Sequence, residues 1–221
     1  ADEIVVVNCA SNDRTVDQIQ RFPRARLFSQ PNNVNLNVNK SFGFDQLTTD
    51  WIFYLDPDEQ IPEALAKQIK ETISSGVAQA YRVPRRNVFF GRWLEHGGQF
   101  PDRQLRLFQR GKARFPLKHV HESLEVDGKI GDLTEPFDHF PYPSINDFLR
   151  KMKFYTSFQA DYWRETGMKS TWMTHAWYFL LRPTTRFLRR YLLKGGFLDG
   201  WQGFLAASGD AFQTVVSYAK F

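Results

Sequence analysis

Hydrophobic and polar positions follow two alternating patterns in the first half of the chain. Apolar runs at residues 4–7 and 51–55 predict buried strands, and the 3.6-residue repeat over residues 61–74 predicts an amphipathic helix. Two shorter helices and one more strand are expected at residues 15–22, 40–47 and 26–28. Strands that alternate with helices predict an α/β fold, in which a mixed, mainly parallel sheet carries helices on both faces.

The pattern changes after residue 78. The strands expected there are separated by turns rich in Gly, Pro and basic residues and lie at residues 78–83, 104–108 and 120–126. From Ser144 onward the pattern is helical and rich in Phe, Trp and Tyr. Interruptions of these helices are expected at Gly167, Pro183, Gly195 and Gly196. These changes in pattern predict two domains: an α/β domain at residues 1–145 and a helical extension at residues 146–221.

Composition limits the classes of protein to which the chain can belong. Its 221 residues are 42% hydrophobic, so the chain can bury a core and is not disordered. The single cysteine, Cys9, excludes a disulfide framework and a cysteine-based zinc site. No run approaches the roughly 18 apolar residues of a spanning helix, so a soluble or membrane-peripheral protein is expected. Residues 4–7 resemble an interior strand, and we expect the preceding strand to be missing from an N-terminally truncated domain.

The apolar run at residues 51–55 ends abruptly in carboxylates. Asp56 and Asp58 flank Pro57, whose fixed φ and missing N–H suit the end of a strand. Open α/β sheets bind ligands at the carboxyl ends of their strands. Both side chains can therefore converge on Mg²⁺ or Mn²⁺, with a diphosphate completing the coordination shell. A turn with solvated acidic side chains is the alternative for an isolated D-x-D.

Five segments of the chain carry a family resemblance. They read IVVVNCASNDRT, WIFYLDPDEQI, YRVPRRNVFFGRWLEHGGQFPDRQLRLFQRGKARF, VHESLEV and KGGFLDGWQGF. In this order and spacing they resemble glycosyltransferase family 2, and within it the lipopolysaccharide core glycosyltransferases. The resemblance implies a GT-A fold, a divalent cation and a nucleotide-diphospho-sugar donor. It also implies inverting transfer of a hexose to a lipid-linked saccharide such as the lipopolysaccharide inner core.

The resemblance also implies roles for individual donor-binding residues. Asp58 would bind the cation directly, and Asp56 would face the ribose or the cation. Asp13 would help to hold the nucleoside, although capping of a helix N-terminus is an equally good interpretation of this side chain. The family usually has Asp where this chain has Asn8, which accepts a hydrogen bond but supplies no charge. Ser41 stands where the family commonly has Asn.

Inversion requires a base that takes the proton of the acceptor hydroxyl group. Glu122 in VHE and Asp102 in FPDRQ are the candidates. The resemblance favours Glu122, because the base motif of the family tends to fall at this position. His121 would then orient the base or contact phosphate. A surface His–Glu pair without a catalytic role is the alternative.

Basic residues are concentrated in the third of the five segments. Their guanidinium groups suit bidentate contacts to the phosphates of the donor or of an acidic acceptor, and they are Arg85, Arg86, Arg92, Arg103 and Arg106. Arg106 is the preferred donor-binding residue because it lies inside an apolar strand. A solvated basic face is the alternative for the others.

The last third of the chain is basic. Residues 146–221 contain eleven Lys or Arg and five Asp or Glu. Between Trp177 and Lys194 the basic residues are interleaved with aromatic and aliphatic ones, a composition typical of helices on an anionic bilayer surface. The composition therefore predicts peripheral attachment to an anionic membrane surface, and the family resemblance implies the cytoplasmic face of the bacterial inner membrane. Helices that pack on the catalytic domain with a solvated basic face are the alternative.

Three function classes remain. A membrane-peripheral glycosyltransferase agrees best with the motifs. A catalytically impaired scaffold that binds sugar nucleotide or lipid is the second class, because Asn8 replaces a usual Asp. A nucleic-acid binder is suggested by the pI near 9.3, but no RNP, KH or zinc pattern occurs, so nucleic acid is not an expected partner.

Overall fold

The computed structural model describes residues 1–33, 35–117 and 123–221. In chain order the strands are β1 (Ile4–Cys9), β2 (Ala25–Gln30), β3 (Trp51–Phe53), β4 (Glu59–Gln60), β5 (Ala80–Phe89), β6 (Arg92–Trp93), β7 (Asp102–Gln109), β8 (Ala113–Arg114), β9 (Glu125–Val126), β10 (Ile130–Asp132) and β11 (Phe137–Tyr142). The α-helices are α1 (Thr15–Ile19), α2 (Leu36–Asp45), α3 (Glu63–Ser75), α4 (Ile145–Glu165), α5 (Trp172–Ala176), α6 (Arg182–Leu188) and α7 (Gly200–Lys220). The predicted mixed α/β fold with a C-terminal helical part is confirmed.

The described residues divide into two compact units that interleave along the sequence. The first unit comprises Ala1–Leu55, Ala66–Val83 and Gln104–Glu135. The second unit comprises Asp56–Leu65, Pro84–Arg103 and Pro136–Phe221. The division into domains at residue 145 stays a prediction.

In the first unit the pair β1–β2 forms a sheet of its own, separate from the larger sheet to which β3, β5, β7 and β10 belong. β1 and β2 pair in parallel, and β3 pairs antiparallel with β7. β7 and the first half of β5 are neighbours, and β10 pairs in parallel with β5. Ile52 of β3 and Phe108 of β7 are buried in one cluster with Phe115, and Phe44 and Tyr54 pack against it, with ring contacts from Phe44 to Phe108 and from Tyr54 to Phe115. Burial of these large side chains fixes β3, the strand that leads into the D-x-D segment.

In the second unit β11 lies between two other strands. It pairs in parallel with the second half of β5 and antiparallel with β4. The register sets His139 opposite Asn87 on one side and opposite Glu59 on the other. Backbone pairing therefore brings polar residues from three separate segments side by side.

The helical part of the second unit begins at a capped helix. The Ser144 hydroxyl group accepts a hydrogen bond from the backbone N–H of Asp147 (3.1 Å) and caps α4. α4 packs on α7, and at Gly209 of α7 a methyl group would overlap the ring of Phe148. Among the described residues, none of the helices combines the length and the hydropathy that crossing a membrane requires.

The helix does not end at Pro183, contrary to the prediction. The chain stays helical from Trp172 to Leu193, with π-helical segments at Trp177–Leu181 and Arg189–Leu193 on either side of α6. Proline has no N–H to donate, and its ring excludes the carbonyl group four residues earlier, so a wider turn before it accommodates the ring. The predicted interruptions at Gly167 and Gly195 are present, both with φ of +69°.

Asp199 joins two of the segments that carry the family resemblance. Its carboxylate is 2% exposed and accepts a hydrogen bond from the backbone N–H of His96 (2.8 Å), while its other oxygen lies 3.0 Å from Nδ1 of the same residue. Gly97 donates its N–H to the carbonyl group of Lys194 (2.8 Å). The GRWLEHGG and KGGFLDGWQGF segments therefore hold each other in place.

We predict that Asp199→Asn lowers the free energy of unfolding by about 1–3 kcal/mol, because the amide has one acceptor oxygen where the carboxylate has two, so a buried side chain loses one of its contacts to His96. Urea unfolding measures the change. Asp161→Asn is the control, since Asp161 forms an exposed pair with Arg164. Equal midpoints for the two variants would contradict the structural role of Asp199.

Candidate functional site

The D-x-D segment forms a tight turn at the start of the second unit. The backbone N–H of Glu59 donates to the carbonyl oxygen of Asp56 (3.1 Å). In return, Oε2 of Glu59 accepts a hydrogen bond from the backbone N–H of Asp56 (2.8 Å). The Glu59 side chain is fully buried, so this reciprocal pair fixes the turn and the position of Asp58 within it.

Arg85 lies between two carboxylates. Its Nη1 is 3.9 Å from Oε1 of Glu59, and its Nε and Nη2 donate to Oδ2 of Asp102 at 2.9 and 2.5 Å. One guanidinium group thus neutralises the buried Glu59 and orients Asp102.

Asn87 links Asp102 to His139. Its Nδ2 donates to the carbonyl oxygen of Gln99 (3.0 Å) and reaches Oδ2 of Asp102 at 3.5 Å. Its Oδ1 lies 2.7 Å from Nδ1 of His139. Because an amide oxygen can only accept, Nδ1 of His139 carries a proton and donates it to Asn87, and Nε2 is turned toward Asp58.

Asp58 is held by two nitrogen groups. Nζ of Lys151 donates to Oδ2 of Asp58 (2.8 Å), and Nε2 of His139 lies 3.7 Å from the same oxygen. Burial raises the pKa of Asp58, but the hydrogen bonds and charges of His139 and Lys151 outweigh it and hold that pKa well below its ordinary value. Asp58 is therefore a carboxylate at neutral pH.

A cavity of about 360 Å³ opens beside these residues in the second unit. Asn87, Asp102 and His139 belong to its lining. Aromatic and polar side chains complete the lining, among them Arg85, Tyr142, Phe148, Tyr155, Arg190, Asp210 and Gln213. Its size and mixed lining suit a small polar molecule with an apolar face.

The remaining donor-binding candidates lie in the first unit. Asn8 is buried, and its Oδ1 accepts the N–H of Ser11 (3.1 Å). Asp13 accepts the N–H and the hydroxyl group of Thr15, at 2.9 and 2.5 Å, and these hydrogen bonds lower the pKa of Asp13. Their roles toward a nucleoside stay predictions.

The arginines of the third segment make internal contacts. Arg106 is 3% exposed, with its guanidinium carbon 4.4 Å from the ring centroid of Tyr54. Arg86 pairs with Asp138, and Arg92 donates to the carbonyl oxygen of Leu198 (3.1 Å). Each of these contacts fixes strands or loops, and phosphate binding by Arg106 stays a prediction.

Glu122 and His121 lie outside the described residues. Of the two base candidates, only Asp102 has a described environment: the Arg85 guanidinium and the wall of the cavity. The choice between Glu122 and Asp102 stays open.

Sequence reasoning missed Asn87, His139 and Lys151. A polar histidine within the apolar segment FDHFPY was a signal for His139, since such a residue on a buried strand needs a partner. No local signal marks Lys151, which contacts Asp58 from 93 residues away.

The nitrogen and oxygen atoms at Asp58 fit a divalent cation. A carboxylate oxygen and Nε2 of His139 face each other, and the Asn87 amide fixes the histidine tautomer, as is usual for histidine ligands of metals. Among the described residues no three His, Cys, Asp or Glu side chains form a group that could enclose an ion. Mg²⁺ and Mn²⁺ commonly take one or two protein ligands and complete their shell with substrate phosphates and water.

The sequence profile described as Glycosyl transferase family 2 matches residues 1–124. This is more than half of the chain. The chain belongs to glycosyltransferase family 2. The predicted family is thereby confirmed, and with it the GT-A class of fold.

The chain is also similar to individual proteins along most of its length. The chain is 28% identical to the lipopolysaccharide core biosynthesis glycosyltransferase LpsC of Rhizobium meliloti, over 99% of this chain and 82% of LpsC. It is 27% identical to the uncharacterized glycosyltransferase RT0209 of Rickettsia typhi, over 99% of this chain and 77% of the relative. Among solved structures, S. aureus TarS 1-349 in complex with UDP-GlcNAc is similar, with a TM-score of 0.49, 13% identity and coverage of 99% and 74%.

We predict that Asp58→Asn destabilises the protein by about 1–2 kcal/mol at pH 7, allowing for solvent screening of a half-buried pair. Since the pKa of Asp58 is lower in the folded than in the unfolded protein, its contribution is complete above the ordinary pKa of 3.8 and is lost as the pH falls below that value. The difference in unfolding free energy between wild type and variant should therefore begin to narrow at about pH 4 and continue to narrow down to about pH 2. Urea unfolding at several pH values measures it, and a difference that stays constant would contradict the ion contacts of Asp58.

Proposed function

We propose that this family 2 enzyme transfers a hexose from a nucleotide-diphospho-sugar to a lipid-linked saccharide, with inversion at the anomeric carbon. The observation that carries the proposal is the series of polar contacts from Asp58 through His139 and Asn87 to Asp102, of which the last three residues line the cavity. These contacts connect Asp58, which suits a cation and the diphosphate of the donor, with Asp102, a carboxylate that suits the hydroxyl groups of the acceptor.

The donor end of this chain of contacts centres on Asp58. Asp58 and His139 would hold a Mg²⁺ or Mn²⁺ ion, which neutralises the charge of the departing diphosphate when it is bound. The reciprocal hydrogen bonds between Asp56 and Glu59 keep the backbone that carries Asp58 in place.

The acceptor end is the cavity. Aromatic rings such as Tyr142 and Tyr155 suit the C–H face of a sugar, and Asn87, Asp102 and Gln213 suit its hydroxyl groups. The name of LpsC supports lipopolysaccharide core as the class of acceptor. The base that takes the acceptor proton would be Glu122 or Asp102.

Exposed apolar side chains support attachment to a membrane surface. Leu193 is 83% and Trp172 76% exposed, and several other large apolar residues of the helical part are also exposed. Arg189 and Lys194 are exposed beside them, whereas Arg186 and Arg190 both pair with Asp210. An anionic lipid surface would match both the apolar residues and the two solvated charges.

The base assignment is tested with Glu122→Gln and Asp102→Asn. We predict that Glu122→Gln keeps donor binding but reduces turnover about 10²- to 10⁴-fold, because the amide preserves shape and removes basicity. A panel of UDP-, GDP-, ADP- and dTDP-sugars with Mn²⁺ serves for both thermal-shift binding and hydrolysis, which needs no identified acceptor.

Asp102→Asn separates the two candidates. If Asp102 only orients Arg85, the variant should lose thermal stability and keep most of its turnover. If Asp102→Asn loses turnover and Glu122→Gln stays active, Asp102 is the base and Glu122 is not. If no sugar nucleotide binds to or is hydrolysed by the wild type, the proposed function is wrong.

Membrane attachment is tested with the double variant Arg189→Gln, Lys194→Gln. We predict roughly ten- to thirtyfold weaker binding to anionic vesicles at low salt, since each basic residue near such a surface contributes about 1 kcal/mol. The control is Lys67→Gln, Lys70→Gln, which removes the same charge from α3. Vesicle sedimentation is the measurement, and equal binding by both double variants would contradict attachment through the helical part.

A further inference from the structure

The ammonium group of Lys151 forms an ion pair with Asp58, the carboxylate that binds the divalent cation in the proposed function. Nζ lies 2.8 Å from Oδ2 of Asp58, and the two side chains are only 29% and 31% exposed. The ring centroid of Tyr142 is 5.7 Å from the same nitrogen. The ion pair is therefore partly buried, and solvent screens it less than a surface pair.

The contact uses the oxygen that also faces His139. Nε2 of His139 is 3.7 Å from Oδ2, so a cation bound by both residues would come close to Nζ of Lys151. Two positive charges at that separation repel each other strongly in a partly buried site. Lys151 and a divalent cation cannot both use this side of Asp58.

We propose that Lys151 is a built-in competitor for the divalent cation at Asp58, which keeps the affinity of the free protein for the cation low. This inference rests on the proposed function. When the cation binds, Lys151 leaves Asp58, and its ammonium group becomes available to the diphosphate of the donor. Lysine suits this exchange because its charge is compact and sits on a flexible four-carbon stem.

The position of Lys151 gives the helical part a role in the site. Lys151 lies on α4, which begins at Ile145 under the cap of Ser144. Among the described residues, α4 therefore supplies an ammonium group to Asp58, and it does so on a flexible four-carbon stem. If Lys151 competes with the cation, its removal strengthens cation binding. If it only holds α4 in place, its removal does not strengthen cation binding.

The experiment measures binding of Mn²⁺ alone by electron paramagnetic resonance, with the full chain and without nucleotide. Lys151→Met should bind Mn²⁺ on the order of tenfold more tightly than wild type, because a neighbouring positive charge has been removed. Lys151→Arg keeps the charge and should bind weakly, like wild type. The matched control is Lys153→Met, which removes an exposed lysine from the same helix.

Tighter binding by Lys151→Met that disappears in Lys151→Met, Asp58→Asn would support competition at Asp58. Equal or weaker binding by Lys151→Met than by wild type, or no Mn²⁺ binding by any variant, would overturn it. Thermal-shift assays with the sugar-nucleotide panel in EDTA and in Mn²⁺ run in parallel. If a sugar nucleotide binds but Lys151→Met does not bind Mn²⁺ more tightly than wild type, only the competition by Lys151 is wrong. If no sugar nucleotide binds and the Mn²⁺ affinity does not change, the proposed function is wrong as well.

Discussion

A buried carboxylate must have a partner, and in the second unit that requirement organises the whole site. The Glu59 side chain is fully buried and has Arg85 at 3.9 Å, and its other oxygen accepts the N–H of Asp56. Arg85 in turn fixes Asp102. Loss of this guanidinium would remove the positive charge beside both carboxylates, and breaking an ion pair at the buried Glu59 costs more than a single hydrogen bond. The turn that presents Asp58 and the carboxylate in the cavity wall therefore depend on one side chain.

From that centre the contacts extend into two later parts of the chain. β11 supplies His139, whose tautomer is set by Asn87, and α4 supplies Lys151. Both converge on Asp58, so the site is not confined to the matched residues 1–124. The helical part consequently combines two roles, completing the polar site and presenting exposed apolar and basic side chains.

Local patterns were sufficient for much of the fold. The helix predicted at residues 61–74 is α3, Glu63–Ser75, because amphipathic spacing is a local property. The turn of Asp56 and Asp58 was also predictable, since a strand must end where proline and acids follow. His139 and Lys151 were not, because they reach Asp58 through the register of β11 and the packing of α4. Continuation of the helix through Pro183 was missed because a π-helical turn accommodates the ring.

The most direct test of the site is a crystal structure of the protein with Mn²⁺ and the nucleoside diphosphate of the sugar nucleotide that the panel identifies, in which the anomalous signal of manganese locates the ion. We predict a peak at coordination distance from the Asp58 carboxylate, with Nε2 of His139 beside it, the diphosphate on the same ion and Lys151 displaced from Asp58. A nucleotide bound with no manganese at Asp58, and with the ammonium group of Lys151 still on that carboxylate, would contradict it.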